Sequence, residues 1–305
     1  SSQRDFYRIN FYDETNVILM VVPEGIEESV SSFTKKAEIF KRNDVNVPLI
    51  FSENEKLGLI IVEDFGDELY QFNLSKKNVD LFYGLALQEL IKIQSIELDK
   101  NIFKYLDKKL LSQNWSLFEE IFLNNFFEDK IKTSSINNLK DCYEMICRNL
   151  LKQPQVICHY DFECRNLIFT KNKAGILDFQ DAIIGPIGLD PASLFKDLYY
   201  FWPEIKILGW YEDYQKSITN NLKINIKISK LQEYIDYCSL QRQFRILGKL
   251  SKVYLDLDRT DRLKDFPTLI NYLVETSSKY EELNPISEIL RPLKEILNNK
   301  IAKII

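Results

Sequence analysis

HYDFECRN (159–166), ILDFQDA (176–182) and GPIGLD (185–190) are the stretches whose reading decides the fold of this 305-residue chain. They carry the pattern H-x-D-x-x-x-x-N at His159, Asp161 and Asn166, and Asp178 follows twelve residues after Asn166. An amide oxygen and a carboxylate are hard ligands of the kind Mg²⁺ takes, and phosphate oxygens and water can fill the rest of its octahedron. Asp161 sits five residues before Asn166 on the same loop. There it can accept the hydrogen bond of an acceptor hydroxyl and later its proton. Positioning and charge neutralisation carry most of phosphoryl transfer, so this small set suffices for an ATP-dependent reaction. The plain alternative is an ordinary loop with a satisfied carboxylate and amide. The apolar runs VICH and NLIF, with AGILDF behind them, read as strands flanking the loops, and that context is far more restrictive.

Upstream, DFYRINF (5–11), NVILMVV (16–22) and LGLIIVE (57–63) read as strands. Between them, Val30, Phe33, Ala37 and Phe40 recur at steps of three and four, as on one helix face, and Pro48 ends that region. After Gly66 the pattern turns helical, with helices predicted through 81–93, about 105–127 and about 136–152, the last ended by Pro154. From Pro191 onward it is helical again, broken near Pro203, Pro267 and Pro285. The order is thus a small β-rich part, a connector near 63–68 and a larger helical part, with no internal repeat and no long linker.

Composition bounds the partners. Hydrophobic residues make up 45% of the chain, enough for a large core, and 40 Lys and Arg against 45 Asp and Glu give a net charge of −5. An acidic balance argues against nucleic acid or an anionic membrane as partner. The five cysteines form no CxxC pair, so a reducing cytoplasm is the simpler reading than a disulfide scaffold. No run is long enough to span a bilayer and no signal peptide is evident. The single histidine, His159, removes His-rich zinc sites. Because the chain begins at Ser1 rather than Met, a natural N-terminal segment beyond it is expected.

The motif residues resemble the aminoglycoside phosphotransferase and choline kinase superfamily, whose pattern is H-G-D-x-x-x-x-N followed by I-D-F/W and D-L-A. Here Tyr160 stands in place of the glycine, and Asp190 is followed by Pro191. The chain is most similar to the branch that phosphorylates the anomeric hydroxyl of N-acetylmuramate and N-acetylglucosamine, with H-R-D-F-H-S-R-N-L, I-D-F-Q-D-A and G-P. Arg165, the Gln180-Asp181-Ala182 run and the Gly185-Pro186 pair carry that likeness, which extends to QRQFRILG (241–248) and to SSQRDFYR at the start. The resemblance implies an α+β, bilobal, protein-kinase-like fold. Its N-lobe, 1–66, would hold phosphate loop and hinge, and its helical C-lobe, 67–305, the catalytic and metal-binding loops. It also implies ATP and Mg²⁺ as cofactors. Asp161 becomes the catalytic base, Asn166 and Asp178 the metal ligands, and His159 and Asp190 braces of the catalytic loop, with Arg165 beside them. Ser1, Ser2 and Arg4 fall in the phosphate-covering loop, and Glu63, Asp64 and Phe65 in the hinge that meets adenine.

Other residues stay open. Kinase-like folds place a lysine on the strand read here as NVILMVV, and none lies there. Lys35 and Lys36 on the following helix, or Arg4 and Arg8, are the substitutes in sequence, although a solvated helix face is the ordinary reading of the two lysines. Glu163 departs from the branch pattern and, with Asp181, is a substrate candidate; Asp181 reads equally as a metal neighbour or a structural acceptor. Arg242 and Arg245, three apart on a helix, suit a substrate carboxylate or form a plain surface pair. Trp115, Trp202 and Trp210 read as core before sugar platforms. Cys164 is not expected to be a nucleophile. The leading expectation is an ATP-dependent amino-sugar 1-kinase acting on a small-molecule substrate. The alternatives are a kinase for an aminoglycoside or amino alcohol, and a non-catalytic nucleotide-binding pseudokinase.

Overall fold

The computed structural model describes residues 4–13, 15–23, 29–127 and 131–304. The chain divides into two compact units: Ser1–Tyr105 with Val156–Ile184 and Leu208–Ile226, and Leu106–Gln155 with Gly185–Ile207 and Lys227–Ile305. This division differs from a boundary at 66, because helices after residue 66 and the motif loops group with the N-terminal sheet in one compact unit.

The first unit opens with strands β1 (Asp5–Asn10) and β2 (Asn16–Val21), helix α1 (Val30–Arg42), and strands β3 (Ile50–Asn54) and β4 (Leu59–Glu63). The strands form one antiparallel sheet in the order β1-β2-β4-β3, with Arg8 opposite Ile18 and Val17 opposite Glu63. In β4, Ile60 and Val62 are buried while their neighbours are half-buried, the alternation a one-sided sheet requires. Sequence reading missed β3, an edge strand whose residues are mostly exposed. Ser29 caps α1, its side chain accepting the Ser32 N–H, and Lys41 and Arg42 close the last turn where a cation suits the helix dipole. The buried stripe of α1 contains Val30, Phe33, Ala37 and Phe40 as expected, and also Lys36.

Helices α2 (Tyr70–Asn73) and α3 (Val79–Gln94) follow the hinge. Strand β5 (Gln155–Cys158) leads into the first motif loop. Strands β6 (Leu167–Thr170) and β7 (Lys173–Ile176) form a hairpin turned by Lys171 and Asn172, both at positive φ (49° and 60°), as a two-residue primed turn demands. The hairpin ends at the second motif loop, and β8 (Ile183–Pro186) follows. β8 was also not foreseen.

The second unit is helical: α4 (Lys108–Ser116), continued to Phe126 in wider π-type turns, α5 (Thr133–Lys152), α6 (Leu189–Phe195), α8 (Ile228–Leu257), α9 (Phe266–Ser277) and α10 (Asn284–Ile304). Helix α7 (Glu204–Ser217) crosses the division. Pro267 and Pro285 start helices rather than break them: each lies in a first turn, where its missing N–H has no intrahelical partner to lose. Pro292, by contrast, lies inside α10. A Cβ on Gly248 would lie 2.8 Å from the Phe118 backbone nitrogen, so only glycine admits the close crossing of α8 over the π-type segment. Trp115 and Phe118 pack there with Phe244, and Trp115 and Trp210 are core side chains as expected. No described helix is long and apolar enough to cross a membrane, and all five cysteines are free thiols.

Candidate active site

The two motif loops and the hinge all belong to the first unit, where they line one cavity of about 680 Å³. Its apolar walls include Ile18, Met20, Val62 and Ile168, and its polar rim includes Glu63, Asp64, Arg165, Asn166, Asp178 and Gln180. A flat apolar ring with one polar end matches that division.

The loop between β5 and β6 is fastened by its own hydrogen bonds. The Asp161 carbonyl accepts the Glu163 N–H (2.9 Å) and the Asn166 side-chain amide (2.8 Å), and the Asn166 N–H donates to the Glu163 carbonyl (2.8 Å). The Leu177 N–H donates to the Asn166 carbonyl (2.9 Å), which joins this loop to the next. His159 is fully buried, and its Nε2–H donates to the Leu177 carbonyl (2.8 Å). A carbonyl only accepts, so that nitrogen carries the proton, and the bond ties the start of the first motif loop to the second. Tyr160 has φ of +83°, a conformation for which the glycine of the related pattern is suited and a tyrosine is strained.

Asp178 also has left-handed backbone (φ 58°, ψ 37°) and is exposed. Its Oδ1 accepts the Gln180 side-chain amide at 2.6 Å. The fit to a magnesium ion follows from this donor set. The Asn166 amide nitrogen is engaged by its own loop, so its oxygen is the atom left to act as ligand, and Asp178 adds a carboxylate on the same cavity. Two hard oxygens supplemented by phosphates are the usual protein share of a Mg²⁺–nucleotide site. Among the described residues no cluster of three or more His, Cys, Asp or Glu side chains competes as a metal site.

The segment expected to be the hinge is held from both sides. A Cβ on Gly175 of β7 would fall 2.6 Å from the Phe65 ring, so glycine there lets the ring seat on the hairpin. The Phe169 N–H donates to the Glu68 carbonyl (2.8 Å), and Lys171 pairs with Glu63 (2.6 Å). Arg8 of β1 grips Asp64 through Nε (2.5 Å) and Nη2 (3.0 Å) and reaches Asp67 through Nη1 (3.0 Å). Burial works to raise the Asp64 pKa, but hydrogen bonds from Arg8 and the Gly66 N–H outweigh it and hold this carboxyl below the usual range. The Arg8 guanidinium is shifted upward by the same bonds. Arg8 thus meets the hinge carboxylates.

The remaining expected residues fall as follows. Ser1 and Ser2 lie outside the described residues, and Arg4 is half-buried just before β1. Asp161 and Asp181 are half-buried and exposed, and neither is among the cavity's lining residues. Glu163 is buried and pairs with Arg165 (Nε to Oε1 2.6 Å; Nη2 to Oε1 2.5 Å). Cys164 is fully buried, unsuited to a nucleophile. Asp190 is buried on α6, and Arg242 and Arg245 are 0% and 2% exposed on α8, all in the second unit. The two arginines are therefore not a surface pair. Lys36 likewise corrects the solvated-face reading: it is buried, and its ammonium donates to the Gln180 carbonyl. The signal was in the sequence, since position 36 falls on the Phe33–Phe40 stripe.

A family model described as "Phosphotransferase enzyme family" matches residues 1–219. The N-acetylmuramate/N-acetylglucosamine kinase of Pseudomonas putida is 25% identical over 295 residues, covering 96% of this chain and 86% of that protein. The protein of the same name from Neisseria meningitidis serogroup B is 26% identical over 292 residues, covering 94% and 86%. Among solved structures, choline kinase LicA from Streptococcus pneumoniae matches with a TM-score of 0.63 at 14% identity, covering 90% of each chain. ADP-bound aminoglycoside phosphotransferase APH(2'')-Ib matches with a TM-score of 0.57 at 18% identity, covering 89% of this chain and 94% of that one. These structural likenesses bear out the protein-kinase-like fold, with its small strand-rich N-terminal part and larger helical remainder.

Proposed function

We propose that this chain, which belongs to the phosphotransferase enzyme family, transfers the γ-phosphoryl group of ATP to the anomeric hydroxyl of N-acetylmuramate, N-acetylglucosamine or both. Membership supports a small-molecule phosphotransferase. The choice of acceptor is supported by relatives of that name aligning over nearly the whole chain, together with Arg165 and the Gln180-Asp181-Ala182 run. The observation that carries the chemistry is the convergence of Asn166 and Asp178 on the cavity that also borders the hinge.

In this reading the apolar walls and the backbone of Glu63, Asp64 and Phe65 take the adenine, and Asn166 and Asp178 supply oxygens to Mg²⁺. The ion, when bound, neutralises charge on the phosphate oxygens. Asp161 accepts the hydrogen bond of the anomeric hydroxyl, orients its lone pair toward the γ-phosphorus and receives the proton. The new O–P bond forms as the bond to the β-phosphate oxygen breaks, and ADP leaves. His159 keeps the loop of Asp161 in register with that of Asp178 through the Leu177 carbonyl.

A sugar phosphorylated at its anomeric oxygen no longer has a reducing end. The test is therefore ADP release from the purified protein with each amino sugar, matched against loss of reducing-end signal. Equimolar change supports the proposal. ADP release without loss of the reducing end and without inorganic phosphate moves the phosphate to another hydroxyl. ADP release with equimolar inorganic phosphate is hydrolysis and contradicts the proposal, and no release with any acceptor favours the non-catalytic reading.

A further inference from the structure

Three consecutive residues of the second motif loop are each tied down. Asp178 accepts a hydrogen bond from the Gln180 amide, the Phe179 ring stacks on Phe33 (4.9 Å between centroids) and lies 5.4 Å from Phe40, and the Gln180 carbonyl accepts the Lys36 ammonium. Phe33, Lys36 and Phe40 all belong to α1. The segment after α1 grips the strand that leads into the loop: the Asn46 carbonyl accepts the Ile176 N–H (2.8 Å), and its side-chain amide donates to the Ala174 carbonyl (3.1 Å).

An apolar residue would serve packing at position 36, as it does at 33, 37 and 40. A buried ammonium is costly there unless acceptors compensate it, and one acceptor is the backbone of the residue whose side chain bonds Asp178. Gln180 is itself 4% exposed, and its amide nitrogen donates to one carboxylate oxygen. That bond fixes the carboxylate's rotation and directs the other oxygen elsewhere.

We propose that Gln180 is the positioning residue for Asp178, and that Lys36 holds Gln180 from α1, so that the setting of this helix determines the affinity of the metal site. The inference rests on the reading of Asp178 as a metal ligand and is independent of the acceptor sugar. Residues that orient metal ligands are commonly worth about 10–100-fold in metal affinity.

The test is Mn²⁺ uptake in the presence of ADP, followed by electron paramagnetic resonance with no acceptor present, alongside calorimetry of ADP without metal. Gln180→Leu is expected to weaken Mn²⁺ binding by about 10–100-fold, a clearly larger loss than any in metal-free ADP binding. Lys36→Met is expected to weaken Mn²⁺ binding in the same direction, and Lys36→Arg, which keeps a donor, to restore it. Should Gln180→Leu fail to fold, the Lys36 pair decides. Undiminished Mn²⁺ affinity in Gln180→Leu, or equal losses with and without metal, overturns the proposal. Normal metal behaviour in a protein that phosphorylates no amino sugar leaves it standing and removes the acceptor reading instead. A wild-type protein that takes up no Mn²⁺ with ADP removes the metal reading of Asp178, and the positioning role with it.

Discussion

At the scale of single residues, the account depends most on Asp161, and Asp161→Asn keeps the side chain's size while removing its basicity. The variant is expected to lose on the order of 10²–10⁴ in turnover and to keep its ADP affinity, as read by steady-state kinetics and calorimetry. Tyr160 offers a second test at this scale. Its φ of +83° penalises any residue with a Cβ, so Tyr160→Gly should be more stable than Tyr160→Ala by about 1 kcal/mol. Urea denaturation midpoints of the two variants check it, and comparing two truncations cancels the lost burial of the ring. The loops that carry Asp161, Asn166 and Asp178 stood out in the sequence because that spacing has few other uses, and the structure sets Asn166 and Asp178 on one cavity. Lys36 did not stand out, because a lysine on a helix usually faces water, and only its place on the apolar stripe hinted otherwise. Arg242 and Arg245 read in sequence as a substrate-carboxylate pair or a surface pair, and α8 buries both, which removes the surface reading.

At the scale of elements, the hinge is set by β1 on one side and the β6–β7 hairpin on the other. Gly175→Ala would drive a methyl group into the Phe65 ring, and overpacking of this kind costs about 1–3 kcal/mol. Denaturation should show that loss and calorimetry a weaker ADP affinity, with Phe65→Leu in the same chain recovering part of both. The Arg8 clamp predicts a pH dependence. Asp64 has its folded pKa lowered, so its contribution is present above the unfolded value near 4 and fades as pH falls through the lower folded value. Arg8→Gln should therefore be less stable than the parent at pH 7, and the gap should close in acid; the clamp is partly exposed, so its effect is modest. The core strands and helices could be read from periodicity. β3 and β8 could not, because β3 is a mostly exposed edge strand and the short β8 ends in Gly185-Pro186, residues that usually mark a turn. Prolines at 267 and 285 look like breaks in sequence, yet they open helices, since the first turn tolerates them.

At the scale of the whole molecule, chain order and compact units part company: the motif loops lie past residue 155 in sequence but fall in the same compact unit as the N-terminal sheet. Spacing singled out the loops, while this long-range grouping has no local signature. The thiols follow the same logic of burial. Burial pushes Cys142 up to about 11 and Cys147 up to about 12, and Cys158, Cys164 and Cys238 are buried as well. The folded protein should therefore resist iodoacetamide at pH 7.5, whereas the unfolded chain should take up label at all five cysteines, as counted by intact mass. The central claim concerns the reaction, and ³¹P NMR of the protein incubated with Mg²⁺–ATP and each acceptor tests it most directly. The account predicts a sugar 1-phosphate resonance, showing coupling to the anomeric proton, from N-acetylmuramate or N-acetylglucosamine, and none from choline or an aminoglycoside. A phosphorylated choline or aminoglycoside with both amino sugars unchanged would contradict it.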